Sequence, residues 1–142
     1  MTEVRPATLP VTRPTVTSET RPFWDAIADG RFVLARCREC STVIWYPRGF
    51  CAGCASTETI EWVPASGKGT VYSFTVIRKG RGPWDESVPY VAAYVELAEG
   101  PRVLTNLVDV GPDAVSIGQP VEVVIEEGED GARLYRFRPS KG

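Results

Sequence analysis

The stretch CRECSTVIWYPRGFCAGC, residues 37–54, carries all four cysteines of the chain. They form two Cys-x-x-Cys pairs, Cys37/Cys40 and Cys51/Cys54, with ten residues between the pairs. A Cys-x-x-Cys turn brings two thiolates to one ion, and a second such turn completes a tetrahedron. Zinc is the metal that this donor set fits, and a disulfide-linked redox pair would instead favour a single motif at a helix start. Four sulfurs leave no open position for water or substrate, so the predicted ion is structural. Glycine often follows the second cysteine of such a turn; here those positions are Ser41 and Ala55.

The sequence around this staple reads as mainly β. On the upstream side, FVLARCREC leads into the first pair, while VIWYPRGFCAGC and TIEWVPASG lead into and out of the second. Those flanks suit hairpins, and residues 32–64 are read as a zinc ribbon. Residues 18–31 read as a short helix, with Thr20 as its cap, Pro22 in its first turn and Gly30 at its end. Phe23, Ile27 and Trp24 share its apolar face, and a helix this short needs a surface to dock on. Residues 1–17 hold Pro6, Pro10 and Pro14 among threonines and read as an extended arm, either loose or wrapped round a partner. Residues 65–142 hold five short β-patterned segments, which predict a small Greek-key barrel of the OB-fold class. GTVYSFTVIRKG places Tyr72, Phe74 and Val76 on one face at period two. PYVAAYVEL alternates Val91, Ala93, Val95 and Leu97 against Tyr90, Ala92, Tyr94 and Glu96, and QPVEVVIEE sets Val121, Val123 and Ile125 opposite Glu122 and Glu126. GPDAVSIG reads as a turn or one helical turn. Tyr72, Tyr90 and Tyr94 are read as barrel residues, Asn106 as a barrel hydrogen-bonder or a channel residue, and Glu126, Glu127, Glu129 and Asp130 as a solvated acidic hairpin.

Composition narrows the function. The 142 residues carry a net charge of −2 and no histidine. Residues 1–64 hold seven basic and seven acidic side chains, and residues 65–142 nine and eleven, so neither part has the cationic excess of a phosphate-backbone binder. Without histidine, Ser-His-Asp and Cys-His catalysis within the chain is impossible. No signal-like apolar stretch opens the sequence, which is read as soluble and cytoplasmic.

Two groups of residues are candidate contacts. Trp45, Tyr46, Arg48 and Phe50 lie between the cysteine pairs; Trp45 is expected to pack, Phe50 to meet a partner, and Arg48 to meet a phosphate or carboxylate. Arg78, Lys79, Arg81 and Trp84 share the loop RKGRGPWDESVP, which is either a solvated hairpin or a cationic and aromatic contact surface.

Taken in order, FWDAIADGRFVLARCREC, YPRGFCAGC, GKGTVYSFTVIRKG, PYVAAYVELAEGPRVLTNLV and SIGQPVEV closely resemble the family catalogued as domain of unknown function 35 (DUF35). The resemblance runs over roughly residues 20–138. It implies a rubredoxin-like zinc ribbon followed by an acyl-CoA-associated OB-fold. It further implies a non-catalytic accessory subunit of a thiolase-fold partner, of the lipid-transfer-protein-like aldolase or thiolase kind. Such a partner would act in steroid or similar side-chain degradation, with the accessory subunit helping to hold a CoA thioester. The competing expectations are a single-stranded nucleic-acid-binding module and an independent enzyme.

Overall fold

The structure is a computed structural model that describes residues 2–140, so the last two residues of the expected barrel segment lie outside it. An arm strand, β1 (Val4–Pro6), precedes helix α1 (Arg21–Ala28). The ribbon strands are β2 (Val33–Cys37), β3 (Val43–Ile44) and β4 (Ile60–Pro64). The barrel strands are β5 (Lys68–Ile77), β6 (Tyr90–Leu97), β7 (Arg102–Leu107), β8 (Pro120–Glu127) and β9 (Arg133–Pro139). The ribbon is a three-stranded sheet in the order β3-β2-β4. The larger sheet runs β1-β8-β5-β6-β7-β9, and a β8–β9 pairing closes its last five strands into an OB-like barrel. The segment after β7 makes a single 3-10 turn at Pro112–Ala114. No helix among the described residues is long and apolar enough to cross a membrane.

Alternation fills the barrel. Val91, Ala93, Val95 and Leu97 of β6 point inward and are buried, as are Val121, Val123 and Ile125 of β8. Asn106 turns its amide to the Val91 carbonyl at 3.1 Å, the barrel hydrogen bond that a polar residue in an apolar strand needs. β5 breaks the expected pattern. A register shift between Val71 and Ser73 puts an extra residue into the strand, and such a bulge exchanges the faces on either side of it. Val71 is therefore inside and Tyr72 outside, where the Arg102 guanidinium lies 3.8 Å from its ring centroid. Tyr94 also faces outward, and Tyr90 packs on Trp84 with ring centroids 4.6 Å apart.

The helix docks as its short length requires. Phe23 and Ile27 are completely buried, and each contributes about 1.5–3 kcal/mol by leaving water. Gly30 takes a φ of +77° just past the helix end. Thr20 occupies the N-cap position, but its hydroxyl bonds to Thr17 instead of capping the helix.

Two expectations need correction. The arm is not loose: it lies on this chain's own barrel. β1 pairs in parallel with β8, matching Val4 to Ile125 and Pro6 to Glu127. Glu126 is not solvated. It is 0% exposed and accepts a hydrogen bond from Arg136 at 2.7 Å. Its second oxygen accepts from Arg5 at 3.1 and 3.2 Å and from Thr8 at 2.8 Å. The arm roofs over a side of β8 that a bare hairpin would leave wet.

A buried charge stripped of its counter-charge is costly, whereas a matched apolar replacement of both partners is often close to neutral. Glu126→Ala should therefore destabilise the fold by about 3–5 kcal/mol in urea unfolding. Replacing both residues, as in Glu126→Leu with Arg136→Met, should recover a large part of that loss.

Candidate metal centre and contact surfaces

The two Cys-x-x-Cys turns face each other. Cys37 ends β2 and Cys40 lies in the following turn, while Cys51 and Cys54 flank a second turn. All four sulfurs lie within 4.8 Å of one another. The Cys37–Cys54 separation is 3.7 Å and the Cys40–Cys51 separation 3.4 Å. A tetrahedron with zinc–sulfur bonds of about 2.3 Å has edges of about 3.8 Å, whereas a disulfide needs about 2.05 Å. Each turn also prepares its sulfurs for negative charge. The Gly53 amide donates to Cys51 Sγ at 3.2 Å, and the Thr42 hydroxyl lies 3.0 Å from Cys40 Sγ. Thr59, followed by the amides of Cys40 and Glu39, lowers the Cys37 thiol to about 6. At Cys54 the Ser56 amide pulls the other way, but Cys37 and desolvation push that thiol up to about 12. Crowded sulfurs cannot all ionise alone; a divalent cation among them removes that conflict. The donor set thus fits Zn2+, with Cys37, Cys40, Cys51 and Cys54 as the residues that would hold it.

The backbone answers the question raised by Ser41 and Ala55. Both turns close with an amide-to-carbonyl bond, from Ser41 to Cys37 at 2.9 Å and from Ala55 to Cys51 at 2.8 Å. Ser41 then has φ +63° and Ala55 φ +64°, the left-handed region in which glycine is usual.

Trp45 turns inward from the inter-pair loop. Its ring lies 5.2 Å from Phe23 and 6.1 Å from Tyr135. Tyr135 is also ringed by Trp24, Phe32 and Phe137, and it donates to the Leu104 carbonyl at 2.9 Å. Burial pushes its phenol far above the usual range, and Tyr46 adds to this. Tyr46 and Phe50 stay exposed. The Tyr46 hydroxyl accepts from the Trp24 indole at 3.2 Å, while Arg48 donates to the Tyr46 carbonyl and lies 6.0 Å from the Phe50 ring.

The second group sits on the loop between β5 and β6. This loop contains a 3-10 turn, Gly82–Ser87. Trp84 is half-buried against Tyr90, with the Arg136 guanidinium 5.9 Å from its ring. Arg78, Lys79 and Arg81 are exposed and, among the described residues, have no ion pair, whereas nine other cations do. The two candidate groups have different neighbours: the ribbon loop adjoins α1, and the cationic loop adjoins β9 and the arm. Sequence reading took Glu126 for a solvated acid and Tyr135 for a residue of the last strand, and passed over Arg136; their roles depend on what covers those strands.

A zinc ribbon whose aromatic face is set into an OB barrel defines the class. The family model described as "ChsH2, rubredoxin-like zinc ribbon domain" matches residues 24–59. That described as "ChsH2, C-terminal OB-fold domain" matches residues 62–126. A DUF35 domain-containing scaffold protein of Methanothermobacter thermautotrophicus is 39% identical over 108 residues, which is 73% of this chain and 81% of that one. The chain belongs to the DUF35 family.

A chain of the solved Ltp2-ChsH2(DUF35) aldolase superimposes with a TM-score of 0.82 at 38% identity, covering 89% of this chain and 98% of that chain. A probable enoyl-CoA hydratase alpha subunit of Thermomonospora curvata is 38% identical over 130 residues, 90% of this chain but 40% of that protein. The benzoylsuccinyl-CoA thiolase subunit BbsA of Geobacter metallireducens is 39% identical over 72 residues, 51% of this chain and 47% of that one.

Left-handed backbone costs a residue with a Cβ roughly 1–2 kcal/mol, and glycine gives back part of that advantage in unfolded-state entropy. Ser41→Gly and Ala55→Gly should each stabilise the zinc-loaded protein by about 1 kcal/mol, measured by thermal unfolding with metal in slight excess.

Proposed function

We propose that this chain is the non-catalytic accessory subunit of a thiolase-fold acyl-CoA enzyme that makes or cleaves a C–C bond, with retro-aldol cleavage in steroid or similar side-chain degradation as the leading reaction. The observation that carries the reading is the likeness to the Ltp2-ChsH2(DUF35) aldolase, because it spans nearly all of both chains. The thiolase subunit and the DUF35 scaffold proteins among the relatives support the same kind of partner. The hydratase relative supports acyl-CoA chemistry but is much longer than this chain.

The chain's own chemistry agrees with a supporting role. It has no histidine to serve as a base near neutral pH, and a four-thiolate zinc has no position open to substrate. Zinc here would supply rigidity alone: Cys37, Cys40, Cys51 and Cys54 would hold the ends of the loop that presents Tyr46, Arg48 and Phe50 to the partner. Arg78, Lys79 and Arg81 would meet the phosphates of a CoA thioester shared with that partner, with Trp84 holding their loop in shape.

The nucleic-acid reading fares worse. OB barrels that take single strands use one sheet face together with the loops joining their first and last strand pairs. Here Pro83 of the first loop and Gly128, Glu129 and Asp130 of the last line one cavity with arm residues Ala7 and Leu9–Thr12, so the chain lays its own arm in that cleft.

Co-expression with a thiolase-fold aldolase from the same genome tests the proposal. The expected result is co-elution as one complex, one zinc per chain by metal analysis, and acyl-CoA turnover by the complex but not by the isolated chain. Cys51→Ser should lower both the zinc content and the yield of complex. A chain that never co-elutes with the aldolase, or that turns over acyl-CoA alone, would overturn the reading.

A further inference from the structure

The arm is held as a bound ligand is held. Backbone pairing is one component: Ile125 donates to the Glu3 carbonyl at 2.9 Å, and Ala7 to the Glu127 carbonyl at 3.0 Å. A buried ion pair is the other. Arg136 is 2% exposed, and beyond Glu126 its guanidinium donates to the carbonyls of Leu9 at 3.1 Å and Pro10 at 2.6 Å. Two of the three acceptors of this side chain therefore belong to the arm.

Arg136, in β9, also supports the cationic loop. The centre of its guanidinium lies 5.9 Å from the centroid of the Trp84 ring, and that ring packs on Tyr90. The Trp84 amide donates to the Arg81 carbonyl at 3.1 Å. Gly80 is pressed against the Trp84 backbone so closely that a Cβ there would fall 2.5 Å from the Trp84 carbonyl oxygen. Leu9 of the arm meanwhile lines a cavity of about 160 Å3 with Pro89, Tyr90 and Val91 at the other end of the loop. The loop is thus a folded unit whose support comes from Trp84, and Trp84 is flanked by the side chain that grips the arm.

We propose that the N-terminal arm is a strap that sets the cationic loop. Seated, it fixes Arg136 in one orientation; Arg136 fixes Trp84, and Trp84 fixes the backbone that presents Arg78, Lys79 and Arg81. Unseated, Arg136 loses two acceptors and Trp84 its fixed neighbour, so the three cations lose their common geometry. Arg5 and Thr8 are the positioning residues, because their hydrogen bonds clamp the arm to Glu126, with Arg5 also bound to Asp109, and neither bonds to residues 78–88. If the loop holds an anionic ligand, as proposed above, linkage requires that the ligand in turn favour the seated arm.

Amide hydrogen exchange on the full-length, zinc-loaded chain tests the coupling, and no ligand enters the measurement. Its outcome is therefore independent of the coenzyme A assignment. Arg5→Ala with Thr8→Val should raise exchange at least tenfold both in residues 2–12 and in residues 80–88, while residues 33–63 of the ribbon stay as protected as before. Arg13→Ala is the control. Among the described residues Arg13 pairs with the exposed Asp130 alone, and its loss should leave the loop unchanged. Should the double variant keep its arm seated, proteolysis at a cleavage site built between Thr15 and Ser18 of the folded chain frees the arm. Faster exchange in the loop after release supports the strap; a loop that stays fully protected once the arm has gone overturns it.

Discussion

The structure depends on one aromatic cluster. Phe23 of α1 lies edge-on to Trp24, Phe32, Trp45 and Tyr135. Those rings come from the helix, the start of the ribbon, the inter-cysteine loop and the last barrel strand. Edge-to-face pairs contribute about 0.5–1.5 kcal/mol each beyond the area they bury. More consequential is that they are shared. An eight-residue helix has too few turns to persist alone, and a ribbon of three short strands has little interior. Each becomes stable by lending side chains to a core that the barrel completes. Phe23 is therefore a joint between three elements as well as a core residue, and a cavity there would loosen all three together.

The sequence was most legible where a pattern is local and its physics strict. Two Cys-x-x-Cys pairs without histidine leave little freedom in donor set, and the four sulfurs do converge. Strict alternation in β6 put four apolar side chains on one face, and that face is the buried one, because period two leaves a strand no other way to hide them. The pattern misled where one residue of bulge changed the register. Tyr72 matched Phe74 and Val76 by count, but the extra residue turned it out to solvent beside Arg102.

Glu126 and the arm were illegible for a different reason. A glutamate near a hairpin tip, next to three more acids, reads as solvated. Its burial depends on Arg136 ten residues later and on Arg5 and Thr8 more than a hundred residues earlier. The arm's prolines point to an extended chain and say nothing of where it lies. Both become readable only once the edge of β8 away from β9 is known to have two neighbours: it pairs with β5 through residues 120–122 and with β1 through residues 125–127. The arm thereby covers the part of a sheet edge that β5 leaves open, and an open edge invites pairing with other chains.

These constraints divide the work within the molecule. The core belonging to the ribbon alone contains four buried residues, Ala35, Cys37, Ile44 and Cys51, and two of them are cysteines of the metal site. So small an interior cannot define the path of residues 41–50 by apolar burial. That path is fixed from outside, by the four cysteines that would hold a metal at its two ends and by Trp45, whose ring is captured in the Phe23 cluster. Tyr46 and Phe50 remain exposed between these anchors. Exposed aromatics on a held loop suit the contact role proposed for them above. The four cysteines at the ends of the loop and Trp45 within it thus serve the same purpose, which is to hold Tyr46 and Phe50 in a fixed shape, as the docking role proposed above requires.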